Sequence, residues 1–271
     1  MTTSRQAVRE ALGAVGDLVL PVRCGGCAGP GGPLCRRCRG EVRASGGLGG
    51  PRRLAGPAGG GLLVWSGARF EGALREAVTA WKDADRGDLS VPLTALLSGA
   101  LVGVLLADPA LRSTTASGQR VLVVPVPPSP AARRRRGQDP VGALAAAAAA
   151  AVRGPPAPGR THLLQVLDAL RHRRRVADQS RLTREQRARN LAGALEVRPR
   201  AGPLVAGCAV VLVDDVVTTG ATLVEGARAL RSAGVTHVAA ATVAATPGPS
   251  HDVAGATDRP SGQVAPGVGS S

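Results

Sequence analysis

The stretch "VVLVDDVVTTGATL", residues 210–223, constrains the fold more than any other part of this sequence. Its first four residues are apolar and predict a strand buried on both faces. They run directly into two adjacent carboxylates, Asp214 and Asp215. A Thr/Gly segment follows, and then apolar residues at helical spacing. The order of strand, polar turn and helix is typical of one unit of a parallel α/β sheet.

The two acids are expected to face a ligand. Ligands of open parallel sheets lie beyond the carboxyl ends of the strands, where Asp214 and Asp215 are predicted to be. Two carboxylates buried there without partners would be costly. Vicinal sugar hydroxyls can donate hydrogen bonds to both acids, and a hydrated magnesium ion would also offset their charge.

The turn after the acids predicts an anion site. Gly220 permits a backbone conformation closed to other residues, and the free N–H groups of the next helix face the same place. The residues expected around a phosphate are Thr218, Thr219, Gly220, Ala221 and Thr222. Acids and turn together describe a ribose 5-phosphate pocket. The alternative is a Rossmann-like strand that ends in two acids and binds no nucleotide.

Strand and helix signals alternate along the chain and predict an α/β fold with a mostly parallel sheet covered on both faces. The expected strands are 62–67, 121–130, 163–167, 209–213 and 237–244, and the expected helices are 5–20, 69–82, 89–107, 139–152 and 221–233. The Arg-rich residues 133–136 are expected in a loop, and residues 171–190 in a mobile loop that leads into a short helix.

Four cysteines near the N-terminus have metal-ligand spacing. Cys24-x2-Cys27 and Cys35-x2-Cys38 form two knuckles, and two such pairs complete a tetrahedral zinc site. Disulfides, unpaired thiols and an iron–sulfur cluster are the alternatives. Cys208 stands apart and is expected to be a small buried residue.

The chain is strongly basic, with a formal net charge of +15 carried almost wholly by arginine. Such a charge attracts polyanions, including nucleic acid, nucleotides and phosphorylated sugars, although surface charge alone determines no function. No secretory signal is visible, and the longest apolar run, Val141–Val152, is too short to span a bilayer. A cytoplasmic location without a membrane span is therefore expected.

The segment "VVLVDDVVTTGAT" closely resembles the phosphoribosyl pyrophosphate (PRPP) motif of type I phosphoribosyltransferases. In that family two adjacent acids hold the ribose hydroxyls, and the Thr/Gly loop holds the 5-phosphate. The resemblance gives the first role, with catalytic importance, to Asp214 and Asp215, and the second to residues 218–222. It also implies Mg²⁺ as the companion of PRPP.

A four-cysteine module followed by a PRPP-type domain resembles the ComF family, whose members are linked to natural competence and DNA uptake in bacteria. "VLVVPVPPSP" followed by "RRRRG" is similar to the family's Pro-Val-Pro strand end and Arg-Gly segment, which includes Arg136. Lys82 stands where the family often has a lysine after a helix. A further similar stretch, 177–197, contains Gln179, Leu182, Arg187, Asn190 and Gly193.

Two positions depart from the family pattern. After Arg136 and Gly137 the family usually has an aromatic residue and then Asn, where this chain has Gln138 and Asp139. Val176 replaces a common Thr three residues before Gln179. The departures are compatible with a PRPP pocket and put in question a shared second substrate or stacking surface near that loop.

The resemblance implies a type I phosphoribosyltransferase (Rossmann-like) sheet with a small zinc-ribbon-like module holding structural Zn²⁺. The expected units are 1–44 for a helix and the four-cysteine module, 45–61 for a Gly/Pro linker, 62–246 for the phosphoribosyltransferase-like domain and 247–271 for a disordered tail. If active, the protein displaces pyrophosphate from PRPP. The loop at 126–129 and the positive charge of 133–136 and Lys82 would stabilise the leaving pyrophosphate.

Two other functions remain open at this point. One is a non-catalytic protein that binds single-stranded DNA together with the competence machinery. It is favoured by charge but not by composition, because only Trp65, Phe70 and Trp81 can stack on bases. The other is a purine or pyrimidine salvage enzyme, which lacks support because nothing resembles a base-recognition hood.

Overall fold

The computed structural model describes residues 22–44, 50–55, 61–137, 139–153, 163–173 and 193–247. The helices are α1 (Arg36–Ala44), α2 (Gly72–Asp83), α3 (Ser90–Ala107), α4 (Pro109–Ala116), α5 (Pro130–Arg136), α6 (Pro140–Arg153), α7 (Gly202–Val205) and α8 (Ala221–Ser232). The strands are β1 (Pro51–Leu54), β2 (Leu62–Arg69), β3 (Val121–Pro125), β4 (Leu164–Val166), β5 (Leu170–His172), β6 (Leu195–Val197), β7 (Ala209–Val217) and β8 (His237–Ala245).

Six strands form one twisted sheet in the order β1-β2-β8-β7-β3-β4. Every neighbouring pair is parallel except β1 and β2, which are antiparallel. Strands β3 and β7 lie in the interior and read as continuous apolar runs because both of their faces are buried. The predicted α/β fold with a mostly parallel sheet is confirmed.

Helices cover both faces of the sheet. The side chains of Val211 and Val213 share a core with α2, α3 and α6, whereas Val210 and Leu212 share a second core with α8. The antiparallel pair β5 and β6 lies on the α8 side of the sheet. There the buried carboxylate of Glu225 in α8 accepts the N–H of Leu195 in β6 at 3.0 Å.

Helix α3 approaches the sheet closely. Strand β8 presents five alanines, and β2 contributes Gly67. A Cβ on Gly67 would lie 2.5 Å from the carbonyl oxygen of Leu96, and one on Gly103 would meet the indole of Trp65. Small residues therefore set the distance between α3 and the strands beneath it.

The segment Gly87–Ala107 is, by length and composition, apolar enough to cross a membrane, with mean hydropathy of 2.1. It is a longer apolar stretch than Val141–Val152. Its inner side chains, among them Leu93, Leu97 and Leu101, are fully buried against the sheet and α6. In all, 39% of the apolar window is buried inside the protein.

Four expectations from the sequence are wrong in detail. Strand β7 runs four residues past Val213, because β8 continues to pair with it as far as Val217 and Ala245. The Arg-rich residues belong to α5, whose first turn is capped by the Ser129 hydroxyl. Residues 51–54 of the expected linker form the edge strand β1. Residues 171 and 172, expected in a loop, belong to β5.

Several expectations fall on residues that the structure does not describe. They are the helix over 5–20, most of the 171–190 loop with Gln179, Leu182, Arg187 and Asn190, and all but the first residue of the 247–271 tail. The division into units at 44, 61 and 246 stays a prediction.

Candidate active site

The connections after β3 and β7 diverge at the carboxyl edge of the sheet, and we call the edge between these two strand ends the crevice. Pairing of β3 with β7 ends at Pro125 and Val213, where the N–H of Val126 donates to the Val213 carbonyl at 2.8 Å. After β3 the chain passes to α5 and α6 on one face, and after β7 it passes to α8 on the other. Divergence of two such connections creates the usual ligand position of an open α/β sheet.

Asp214 and Asp215 line this edge on opposite faces of β7, as the alternation of a strand requires. Asp215 lies on the face of Val213 and is only 8% exposed. Its Oδ2 is 2.7 Å from Nζ of Lys82. Asp214 is less buried, and its Oδ1 accepts the N–H of Asp215 at 2.8 Å.

Lys82 reaches the acids because α2 crosses the carboxyl edge of the sheet from β2 towards β7. Leu74, Val78 and Trp81 bury one side of this helix. The last turn then presents Lys82, whose side chain remains 30% exposed beside Asp215. The structure therefore brings together three of the residues singled out in the sequence, from positions about 130 residues apart.

Burial and the adjacent Asp215 carboxylate raise the pKa of Asp214 to about 8, and the ammonium group of Lys82 acts in the opposite direction. Lys82 and Asp215 thus form the ion pair of this site, and Asp214 retains its proton to a higher pH than a free aspartate does. A ligand that donates hydroxyl hydrogen bonds or brings a divalent cation would favour ionisation of Asp214.

This raised pKa predicts how stability depends on pH. Between about pH 4 and pH 8 the folded protein holds a proton on Asp214 that the unfolded chain has released, so stability falls as the pH rises. Asp214→Asn should make the free energy of unfolding decline less steeply across this range. Urea denaturation at pH 5.5 and pH 8.5 measures both slopes, and equal slopes in the two proteins would contradict the assignment.

The turn after β7 has the geometry of an anion site. Gly220 adopts φ +77°, and α8 begins at the next residue with its N–H groups at the same end. A side chain on Gly220 would strike Leu54 of β1, so the close packing of the edge strand also requires glycine. Thr219 Oγ1 accepts the N–H of Ala221 at 3.3 Å.

Two further threonines take part in the turn with different exposure. Thr218 is exposed and Thr222 is half-buried. The carbonyls of Val217 and Thr218 each lie 3.4 Å from the Thr246 hydroxyl. All five residues predicted for the phosphate loop are therefore contiguous around the start of α8.

Arg136 is the last residue of α5, which follows the β3 loop, and its side chain is outside the described part of the structure. Asp139, one of the departures from the family pattern, accepts the N–H of Gly142 at 2.9 Å and so caps α6. Its presence is explained by the helix that it begins.

Sequence reasoning missed a polar row beside Asp214. The register aligns Asp214 with Thr242 of β8 and Thr242 with Ser66 of β2. The hydroxyls of Ser66 and Thr242 are 2.8 Å apart and buried. A lone threonine in the alanine-rich β8 was the available signal. His172 was also missed, and its Nε2 lies 3.4 Å from the Pro127 carbonyl.

The four predicted metal ligands come together in one cluster. The sulfurs of Cys24, Cys27, Cys35 and Cys38 all lie within 4.8 Å of one another. Burial tends to raise the pKa of Cys24, but N–H donors from Cys35 and Gly26 outweigh it and lower the pKa to about 6. Burial and the neighbouring thiols act in the opposite direction on Cys38 and raise its pKa. Four cysteine sulfurs this close together are a donor set that fits zinc.

The cysteine module packs directly on α2. Glu41 of α1 accepts the N–H of Ala73 at 2.9 Å and caps the start of the helix that carries Lys82. Leu34 and Val42 of the module belong to the same core cluster as Leu74. Cys208 is not part of this cluster. It was expected to be buried and is half-buried.

A comparison with protein-family models finds the phosphoribosyl transferase domain at residues 161–260. This part of the chain is a phosphoribosyltransferase-type domain. The match spans β7, the Thr/Gly turn, α8 and β8, and thus both acids of the crevice. Lys82 and the four cysteines precede the matched residues. Among curated proteins, none matches the chain.

Proposed function

We propose that the crevice binds PRPP or a related ribose 5-phosphate ligand. Asp214 and Asp215 accept hydrogen bonds from the ribose hydroxyls, and the N–H groups and hydroxyls of residues 218–222 hold the 5-phosphate. The observation that carries the proposal is the meeting of both acids, Lys82 and the turn at one end of β7. The phosphoribosyltransferase-type domain supports it.

The reaction that fits this arrangement is phosphoribosyl transfer. A nitrogen nucleophile bonds to C1 of the sugar, the bond from C1 to the pyrophosphate oxygen breaks, and pyrophosphate leaves with the electron pair. The proton of the nucleophile passes to water. Because the sugar develops positive charge, the nearby carboxylates stabilise the transition state.

Magnesium belongs to the same proposal. Carboxylate oxygens are ligands that Mg²⁺ prefers, directly or through water, and Asp214 and Asp215 are the carboxylates at the described crevice. The ion would supply charge neutralisation for the leaving pyrophosphate. In the described structure, the ammonium of Lys82 provides positive charge at the same edge.

The ComF-type role in DNA uptake, within a cytoplasmic protein, is proposed on the four-cysteine cluster, the sequence resemblance and the basic charge of +15. Single-stranded DNA binding through basic loops should weaken steeply as salt rises. PRPP binding should change much less, because its contacts lie in a crevice. Titrations of both ligands at 50 and 300 mM salt separate the two activities.

The activity is tested by measuring pyrophosphate release from PRPP in the presence of candidate amines and bases, with and without single-stranded DNA. Release that depends on one acceptor and on magnesium supports phosphoribosyl transfer. PRPP binding without pyrophosphate release in the presence of any acceptor would show a protein that binds PRPP and does not catalyse transfer. Absence of both binding and release would overturn the proposal.

Lys82→Met should weaken PRPP binding by about 10-fold or more, because a charge-assisted hydrogen bond contributes roughly 1.5–3 kcal/mol. In this proposal the ammonium turns from Asp215 to the pyrophosphate, so ribose 5-phosphate, which lacks that group, should lose less affinity. Calorimetry with both ligands measures the difference.

Arg75→Met removes an exposed cation from the same helix and serves as the matched control. Equal losses for the two ligands in Lys82→Met would show that the lysine does not contact pyrophosphate.

A further inference from the structure

The outer face of α3 is apolar and exposed. No charged residue occurs between Ser90 and Ala107. Val91, Ala95, Ser98, Val102 and Leu106 follow one another at spacings of four, three, four and four, and form the outer stripe. Val91 is 77% exposed, Val102 41% and Leu106 64%. A surface helix normally turns charged residues to water, so an exposed apolar face of this kind indicates a surface that another element or molecule covers.

A depression lies at each end of the outer stripe. One, of about 520 Å³, separates the start of α3 from the cysteine module and is lined by Leu34, Val42 and Val91. The other, of about 680 Å³, lies over Trp65 and Gly103 near the end of α3. In the described part of the structure, the buried Nε1 of Trp65 has no acceptor. The second depression therefore offers an apolar floor, and the buried Trp65 donor lies beneath it, next to Gly103.

We propose that residues 5–20 of this chain form a helix that covers the outer stripe. The described chain begins at Val22, and the guanidinium of Arg86 donates to the carbonyl of Arg23 at 2.7 Å. Arg86 stands only four residues before α3. The described chain therefore starts close to the residues that lead into α3. A helix formed by residues 5–20 and ending there would run antiparallel to α3.

The pattern and length of this segment match the face. Val8, Leu12, Val15 and Val19 recur at spacings of four, three and four, while Glu10 and Asp17 fall on the opposite side of a helix. Sixteen helical residues span about 24 Å, and the stripe from Val91 to Leu106 spans about 22 Å. A tethered segment also has an effective concentration in the millimolar range, which favours it over a free partner.

A photo-crosslinking experiment on the full-length protein tests the proposal. Leu12→p-benzoylphenylalanine places the crosslinker on the apolar side, and Glu10→p-benzoylphenylalanine is the matched control on the polar side. Mass spectrometry should find crosslinks within one chain from position 12 to the peptide that holds the outer stripe, and few from position 10. Crosslinks only between chains, only to added lipid vesicles, or none to α3 would each overturn the proposal.

A second pair of variants keeps the test independent of the crosslinker. Val102→Asp/Leu106→Asp should release residues 5–20, so that trypsin cleaves after Arg5 and Arg9 at least about fivefold faster. Ser113→Asp, on the exposed surface of α4, should leave the cleavage rate unchanged. An unchanged rate in the double variant would show that water covers the stripe. A dimer in the unsubstituted protein that the double variant dissociates would assign the stripe to a second copy and overturn the proposal.

Discussion

Asp214→Asn/Asp215→Asn is expected to bind PRPP at least about 100-fold more weakly than the unsubstituted protein in the presence of magnesium. Each carboxylate that accepts a hydrogen bond from a ribose hydroxyl contributes roughly 1.5–3 kcal/mol, and the variant loses both charges. The same substitutions leave the side-chain volumes almost unchanged. Isothermal titration calorimetry with and without magnesium measures the loss and the expected requirement for the ion.

The matched control for this variant is Glu76→Gln/Asp85→Asn, which removes two exposed carboxylates, one in α2 and one just after it. It likewise replaces two carboxyl groups by amides and should bind PRPP as before. If the Asp214/Asp215 variant bound PRPP as tightly as the unsubstituted protein, PRPP would not bind at the carboxylates of β7. Comparable losses in both variants would reduce the effect to overall charge.

The second large effect concerns the cysteine cluster. The purified protein is expected to carry one zinc per chain, and Cys24→Ser/Cys27→Ser should carry none, because two of the four sulfur ligands are lost. The unfolding midpoint should fall by at least about 5 °C, since metal binding contributes directly to folding of a small module. Plasma emission spectrometry and calorimetric unfolding provide the two measurements.

The contacts of the module specify where the change should appear. Glu41 caps the start of α2, and Gly26 packs against Ala73, so amide exchange over residues 72–83 should accelerate without zinc. Cys208→Ser leaves the cluster intact, so this variant should keep its zinc, and its amide exchange over residues 72–83 should stay as slow as in the unsubstituted protein. Zinc-free protein with unchanged stability and exchange would show that the four thiols need no metal.

The local pattern of the sequence was sufficient to predict the local structure at the centre of the candidate site. Alternation within β7, a glycine at φ +77° and the start of α8 all follow from adjacent residues. Propensity, periodicity and turn chemistry act over a few residues, so the motif could be interpreted without knowledge of its neighbours.

The features that could not be predicted from the sequence depend on contacts between residues far apart in the chain. The extension of β7 to Val217 depends on hydrogen bonds from β8, and strand β1 exists only because Leu54 aligns with Leu62 of β2. The contact of Lys82 with Asp215 depends on the direction in which α2 crosses the sheet. No residue near Lys82 in the sequence indicates its partner.

The alanine-rich strand β8 and the glycines under α3 determine which changes the interior can accept. Side chains there are already close to the smallest available, so a substitution that trims one of them removes little buried surface. A substitution that adds a methyl group has no space to enter, as Gly67 and Gly103 show. Growth in side-chain size is therefore blocked at Gly67 and Gly103, and variation at these two positions is restricted to glycine.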